Sequence, residues 1–408
     1  MIVGYIKDEY PEQRCIINCG GGIEYRKLEL KEESILGSFL TRAANHIKYR
    51  LGIKTPFNWD KSAAIKIAKI ADLSEVDIIH TFNTICDVGS SINWCCTFES
   101  ETPVSTGLIG RAWERDNRTA YHLDPVSRKM LLLCAKSNCK GLIAISGSAY
   151  RIQYELIERS DLSNRQKREI LNKLVCIHPP QEVLINREEF DRKYKEIECL
   201  RFVFVGHDFF RKGGKQILNA LKELYSSYQF TLTIISKLNY GDYASASTEN
   251  DYLETMELIH SAKWIEWYPQ LSNKETLDVM KQAHIGLLPS IAETYGYSVL
   301  EMQAMGCACV TTNIRALVEI NNDDCGWVCN IDPNKFGESI YGEDTIEYKK
   351  GVQEKLQFEL SRVFDSIFQL DKETIRTKAL RSIQRIEKNH NPAMISEQMK
   401  KVYDKTGT

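Results

Sequence analysis

The chain has 408 residues, of which 43% are hydrophobic, and this length predicts two domains because single hydrophobic cores rarely grow beyond about 300 residues. Its formal net charge is −2 at pH 7. This near-neutral charge argues against nucleic acid as a main partner, since proteins that bind nucleic acid usually carry a strong basic excess.

The cysteines and the apolar runs indicate a cytoplasmic protein. The 13 cysteines are scattered and form no CxxC pair, so we interpret them as reduced thiols that act as small buried hydrophobes. The apolar run at residues 1–6 is too short for a signal peptide, and no apolar stretch reaches the roughly 18 residues that a membrane-spanning helix needs.

In the first half of the chain, short apolar runs alternate with helical patterns, which predicts a doubly wound parallel sheet. Helices are predicted near 35–53 and 146–157. Strands are predicted at 2–6, 14–18, 77–80, 94–98, 141–145 and 174–177.

The basic helix predicted at 35–54 has two interpretations. It could lie on a membrane surface, or it could pack on its own sheet with a solvated charged face. An arginine-rich segment between Gly107 and Asp124, with Arg111, Arg115 and Arg118, is interpreted as a cleft loop.

The second half of the chain repeats the alternation after a charged candidate linker at 186–200. Strands are predicted at 201–205, 230–235, 264–267, 286–289 and 308–312, with helices at 213–224, 252–260 and 273–282. After Gly326 the pattern is wholly helical up to about Asp404.

One stretch of this half, residues 286–319, carries the strongest chemical signal. An apolar run leads into a polar loop with Glu293 and Gly296, and a helical pattern follows. Ser298 and Glu301 have the spacing of a capping box, which predicts a helix that starts at Ser298. A helix start that a backbone can approach closely is an anion site, and phosphate is its expected guest. The alternative is that Glu301 only caps the helix.

A second signal precedes it. Gly206 and His207 end a predicted strand, and Lys212 stands just before two glycines at a predicted helix start. One positive charge and several backbone N–H donors would hold a diphosphate. Doubly wound sheets bind ligands at the carboxyl ends of their strands, where both signals fall.

Together, FVGHDFFRKGG at 204–214 and PSIAETYGYSVLEMQAMGCACV at 289–310 resemble glycosyltransferase family 4. The resemblance implies the GT-B architecture, with two Rossmann-like doubly wound parallel-sheet domains facing each other across a cleft. The N-terminal domain would hold the acceptor and the C-terminal domain a nucleotide-sugar. It also implies a retaining reaction, with Glu293 and Glu301 as the E-x7-E motif: the first glutamate contacts the donor sugar, and the second contacts the ribose.

The chain departs from the family at two positions. The basic pair on the diphosphate falls at 207 and 212, where Lys212 matches but His207 replaces the usual arginine, and Arg211 could substitute for it. In the first half, His80 resembles the family's histidine at a strand end, while Glu99 stands where many members carry a cleft histidine. The alternative for His80 is a satisfied polar group near the core.

These observations predict an acceptor domain at 1–190, a donor domain at 191–385 and a C-terminal helix at 386–408 that packs back on the first domain. The predicted catalytic residues are Glu293, Lys212, Glu99 and His80. The residues predicted to bind the donor are Gly206, His207, Arg211, Lys212, Glu293, Tyr295, Gly296, Tyr297, Ser298 and Glu301.

The predicted substrates are a UDP- or GDP-linked sugar and a saccharide or lipid-linked acceptor, with no metal and no further cofactor. Bacterial surface polysaccharide or glycolipid synthesis is the expected setting, and peripheral contact with the inner face of the membrane is compatible with the basic helix. A nucleotide-sugar 2-epimerase, a starch or glycogen synthase-like enzyme and a non-catalytic nucleotide-sugar-binding subunit remain as alternatives.

Overall fold

A computed structural model describes residues 1–19, 21–30, 64–66, 70, 72, 73, 75–89, 92–103, 122, 123, 125–195, 197–241, 243–340 and 345–404. The chain forms two compact units: Met1–Pro180 together with Pro392–Thr408, and Gln181–Asn391. The predicted basic helix at 35–54 and the loop arginines Arg111, Arg115 and Arg118 lie outside the described residues.

The described strands, in chain order, are β1 Ile2–Tyr5, β2 Glu24–Lys27, β3 Ala64–Lys66, β4 Ile78–Phe82, β5 Ile85–Asp87, β6 Asn93–Phe98, β7 Cys139–Ala144, β8 Leu174–Cys176, β9 Leu200–Val205, β10 Phe230–Ile235, β11 Ile265–Tyr268, β12 Ile285–Leu288, β13 Ala308–Thr312 and β14 Gly326–Cys329.

The described helices are α1 Tyr10–Cys15, α2 Pro125–Ala135, α3 Gly147–Arg159, α4 Asn164–Leu171, α5 Arg187–Lys195, α6 Gly214–Leu224, α7 Glu249–Ser261, α8 Asn273–Gln282, α9 Tyr297–Ala304, α10 Leu317–Ile320, α11 Ile346–Gln369, α12 Lys372–Asn389 and α13 Pro392–Tyr403, with one 3₁₀ turn at Ile17–Cys19.

The first unit is built on a parallel sheet with the strand order β2-β1-β4-β6-β7-β8. Its central strands are buried along their whole length, as expected for a sheet covered on both faces. The C-terminal helix α13 covers one face, where Val402 and Met399 pack against Ile143 and Ile78. A Cβ at Gly141 would lie 2.4 Å from a methyl group of Val402, so α13 approaches the backbone of β7 directly.

The second unit contains a parallel sheet with the order β11-β10-β9-β12-β13-β14. Its central strands β12 and β13 are buried along their whole length, and their apolar residues are why the sequence pattern predicted them well. The long helix α11 packs on this sheet through aromatic side chains, with the ring of Phe364 5.7 Å from that of Phe202. Strand order reverses between β9 and β12, the place where doubly wound sheets open a crevice.

The predicted linker at 186–200 is instead largely folded as α5, a helix of the second unit. Buried Lys193 donates to the carbonyls of Met305 (3.0 Å) and Gly306 (3.1 Å), where α9 ends. Tyr194 donates from its hydroxyl to the carbonyl of Gly306 at 2.9 Å. The helix α5 has one buried face, and its other faces carry charged residues. Because the whole segment is highly charged, it was predicted as a linker, although it caps the end of α9.

Two other predictions were wrong. The strand predicted at 14–18 is the end of α1 followed by the 3₁₀ turn. The stretch after Gly326 begins with a strand, β14, which pairs with β13 at the edge of the sheet. Both segments are so short that periodicity cannot distinguish a strand from a helix.

The Lys193→Met substitution tests the cap on α9. It should destabilise the protein by about 2 kcal/mol, because two buried carbonyls lose a charged donor while the apolar stem is kept. Urea unfolding measures the change, with Lys195→Met as control, since Lys195 is exposed on the same helix. Equal stabilities of the two variants would show that Lys193 does not support α9.

Candidate functional site

The site lies where strand order reverses in the second sheet. The neighbouring strands β9 and β12 end at Val205 and Leu288, and the loops that follow them lead into α6 and α9. Each helix begins after a glycine in the left-handed conformation, Gly213 with φ 79° and Gly296 with φ 96°. The first N–H groups of both helices therefore face the same edge of the sheet.

These glycines are required by close packing as well as by φ. A Cβ at Gly213 would lie 2.4 Å from the carbonyl oxygen of Pro289, so the two loops touch at this point. A Cβ at Gly296 would lie 2.6 Å from Leu317. A side chain at either position would push the helix start away from the strand end.

The start of α9 corrects one prediction. The helix begins at Tyr297 with Gly296 as its N-cap, and no described side chain caps it. Ser298 and Glu301 therefore do not form a capping box. The alternative that Glu301 serves only as a cap is wrong, and its side chain lies partly exposed on the second turn of α9.

An ion pair joins the two loops. Lys212 Nζ lies 2.5 Å from Glu293 Oε2, and the two side chains are only 14% and 12% exposed. The stem of Lys212 passes over Gly206, where a Cβ would lie 2.4 Å from Lys212 Cδ. The predicted site residues Gly206, Lys212 and Glu293 therefore lie together. The missing side chain at Gly206 leaves room for the stem of Lys212.

Glu293 is ionised at neutral pH. Burial alone would raise the pKa of its carboxyl, but the charge and hydrogen bond of Lys212, the charge of Arg211 and the backbone N–H of Thr294 outweigh burial and hold the pKa below its usual value. The loop therefore presents a carboxylate, which can accept hydrogen bonds from hydroxyl groups.

Arg211 fastens the loops together. Its guanidinium donates to the carboxylate of Asp208 and to the carbonyl of Ala292, and its own carbonyl accepts the N–H of Ile291 at 2.9 Å. Because Asp208 already neutralises this arginine, its predicted contact with phosphate stays a prediction.

The other predicted donor residues surround this pair. His207 is exposed at the end of β9, and Tyr297 and Ser298 are partly exposed in the first turn of α9. Tyr295 is fully buried, with its ring 5.2 Å from that of Tyr297, so its side chain supports the loop from inside.

Hydroxyl side chains that the sequence reasoning missed hold the backbone of the loop 289–296. Ser290 donates to the carbonyl of Ala292 at 2.8 Å, and Thr312 donates to the carbonyl of Ser290 at 2.5 Å. Ser339 donates to the carbonyl of Ile291 at 2.5 Å. Small hydroxyl residues at the end of β13 and two positions after β12 were the available signal.

In the first unit, His80 is fully buried in β4. Its Nδ1 lies 2.7 Å from the hydroxyl of Tyr403, and its Nε2 lies 2.7 Å from that of Thr97. Burial lowers the pKa of His80 to about 3, so the ring is neutral. This geometry favours the alternative of a satisfied core histidine, and a catalytic role for His80 stays a prediction.

Glu99 follows β6 and is partly exposed. Its carboxylate accepts from the amide of Asn83 at 3.1 Å, and its backbone N–H donates to the same side chain at 3.1 Å. The pair ties the loops after β4 and β6 together, and the predicted catalytic role of Glu99 remains open to test.

Within the described ranges, no three His, Cys, Asp or Glu side chains are placed to hold a metal ion. In the same part of the chain, no helix is long and apolar enough to cross a membrane.

The site lies in a part of the chain that matches a known family. Residues 186–340 match the family model described as glycosyl transferases group 1. This range holds both loops and the Lys212–Glu293 pair. No curated protein sequence matches the chain closely enough to count as a relative.

Solved structures show the same fold at low sequence identity. Trehalose-6-phosphate synthase OtsA is 11% identical with a TM-score of 0.60, covering 100% of this chain and 99% of that chain. HepE from Anabaena, solved with UDP and glucose, is 10% identical with a TM-score of 0.56 and full coverage of both chains, 100% each. WaaG, a glycosyltransferase of lipopolysaccharide biosynthesis, is 12% identical with a TM-score of 0.51 and covers 100% of both chains. The two parallel-sheet units are thus those of the GT-B architecture.

The lowered pKa of Glu293 predicts how stability depends on pH. Its ion pair should stabilise the fold above the pKa of the unfolded carboxyl, about 4.3, and this contribution should be lost as pH falls through the lower pKa of the folded state. Urea unfolding of the native protein and Glu293→Gln should show the native protein more stable at pH 7 by about 1–3 kcal/mol, with a gap that narrows below pH 4.

Glu257→Gln is the control, because Glu257 is exposed on α7. A gap for Glu293→Gln that stays constant between pH 7 and pH 3 would contradict the assignment of an ionised Glu293.

Proposed function

We propose that this chain, whose residues 186–340 match the model for glycosyl transferases group 1, transfers a sugar from a nucleotide-sugar to a saccharide or lipid-linked acceptor. The transfer would retain the configuration of the sugar and would need no metal ion. The observation that carries this proposal is the Lys212–Glu293 pair, held between two glycine-capped helix starts at the switch point of the second sheet.

The diphosphate of the donor would bind at Lys212 and the first N–H groups of α9. A diphosphate needs compensation of more than one negative charge, and one ammonium group with a helix N-terminus supplies it without a metal. During transfer the nucleoside diphosphate leaves with increasing negative charge on its bridging oxygen. Lys212, fixed over Gly206, would stabilise that charge from a position already set by the fold.

The carboxylates would orient the donor. Ionised Glu293 would accept hydrogen bonds from hydroxyls of the donor sugar, next to the diphosphate that Lys212 binds. Glu301 lies on α9, the helix whose N-terminus would bind the diphosphate, and would accept from the ribose hydroxyls. Retention would follow if the acceptor hydroxyl attacks the face from which the diphosphate departs.

The expected setting is synthesis of a surface polysaccharide or glycolipid. WaaG, which shares this fold, is involved in lipopolysaccharide biosynthesis, and HepE, which also shares it, is solved with UDP-glucose. UDP-glucose is accordingly the first donor to test, followed by other UDP- and GDP-sugars.

The Lys212→Ala substitution should slow sugar transfer by about 10- to 100-fold, because one charge-assisted hydrogen bond to the diphosphate is worth about 1.5–3 kcal/mol. The measurement is release of free nucleotide with and without acceptor, across a panel of UDP- and GDP-sugars. Lys215→Ala is the matched control: Lys215 is the second residue of α6, three positions after Lys212, and pairs with Asp251 and Glu254. Full activity of Lys212→Ala would refute the site.

The Glu301→Gln substitution should weaken binding of the donor by about 10-fold, since a carboxylate binds a ribose hydroxyl more strongly than an amide does. Thermal shift measures this, because a ligand of the folded state raises the melting temperature. The melting-temperature shift that the nucleoside diphosphate alone produces should decrease by the same proportion as the shift that the donor produces. This result would locate the contact at the nucleotide. An unchanged shift in this variant would remove Glu301 from the donor site.

A further inference from the structure

The first unit holds a buried carboxylate that neither the family motif nor the donor site uses. Glu12, in α1, is only 4% exposed, and its Oε2 atom is buried without a hydrogen-bond partner in the described part of the chain. A buried polar atom left in this state destabilises the fold, and more so if it is charged. An unsatisfied buried polar atom indicates a contact with a ligand when it lies where a ligand can bind.

Glu12 lies at such a place. It lines a cavity with Ile6, Lys7, His80, Thr81, Phe82 and Thr84. These residues are at the carboxyl ends of β1 and β4, or just beyond them. In the order β2-β1-β4-β6, the direction of chain progress reverses between β1 and β4, so this is the switch point of the first sheet.

Two other polar side chains of the cavity, those of His80 and Thr81, are already engaged. Both ring nitrogens of His80 have hydroxyl partners, and Thr81 donates to the carbonyls of Thr84 and Cys95. Glu12 is therefore the buried carboxyl group that retains capacity for a new hydrogen bond. Burial also raises the pKa of this carboxyl, so an incoming hydroxyl would relieve an unfavourable environment.

We propose that Glu12 binds a hydroxyl group of the saccharide acceptor in this cavity. The proposal rests on the proposed function, since it assigns a binding residue for the acceptor of that reaction. The cavity holds about 10 Å³, which is room for one water-sized group, so a single hydroxyl enters while the sugar ring stays outside. The carboxylate accepts the hydrogen of this hydroxyl, which fixes one end of the acceptor and selects for the configuration at that carbon.

The test combines two substitutions with the matched control Glu9→Gln, which changes an exposed carboxylate just before α1. Glu12→Met keeps the length of the side chain and removes the buried polar atoms, so it should raise the melting temperature of the protein. The same variant, and Glu12→Gln to a smaller degree, should raise the KM for the acceptor about 10-fold or more. In both variants kcat should change less, and the thermal shift produced by UDP-glucose should stay the same.

Saturation-transfer NMR on the full chain, with methyl glycosides of glucose, galactose, mannose and N-acetylglucosamine, tests binding without turnover. The native protein and Glu9→Gln should give a signal with at least one glycoside, and Glu12→Met should lose it. No signal with the native protein, or an acceptor KM for Glu12→Met within twofold of the native value, overturns the proposal. Failure of the proposed function itself would instead appear as the absence of a thermal shift in the native protein with every UDP- and GDP-sugar of the panel.

Discussion

The site depends on the contact between two loops at the switch point of the second sheet. Gly213 can stand against the carbonyl of Pro289 only because it lacks a Cβ. That contact brings Lys212, the residue before it, within reach of Glu293, four residues beyond Pro289. Two helix N-termini then face the same edge of the sheet because both are reached through glycines with positive φ. The charges of the site thus come together because of steric constraints on the backbone. The ion pair between Lys212 and Glu293 can form only when the two loops are in contact.

Charge within these loops is balanced before any ligand binds. Lys212 faces Glu293, and Arg211 faces Asp208, so the four side chains sum to zero. An incoming diphosphate would add negative charge to these four side chains. The N–H groups at the helix starts would then supply the positive potential that compensates for it. The proposed binding of a diphosphate would therefore need a helix N-terminus and a lysine together. A histidine at position 207, in place of an arginine, would be compatible with that binding because the backbone contribution does not depend on side chains.

The sequence predicted the second unit well, because the apolar run of β12 and the glycines at helix starts act locally. It failed where a residue's role is set by distant partners. The charges of α5 suggested a linker, but Lys193 is buried because the end of α9 supplies carbonyls for it. Ser298 and Glu301 have capping-box spacing, but Gly296 takes the N-cap position since its backbone packs against Leu317. Neither contact can be read from spacing along the chain.

The first unit shows the same limit for functional residues. His80 matched a family position, yet it is fully hydrogen-bonded in the core through Tyr403, a residue far along the chain that arrives with α13. Glu12 matched no motif, yet its carboxylate has unused capacity at the switch point of its sheet. What separates the two is hydrogen-bond satisfaction, which depends on tertiary contacts. A polar residue with all partners present stabilises the fold, whereas one that lacks a partner at a ligand-binding edge stores free energy that a substrate hydroxyl can release on binding. The proposed acceptor site is therefore better sought through unsatisfied buried groups than through the family's motif.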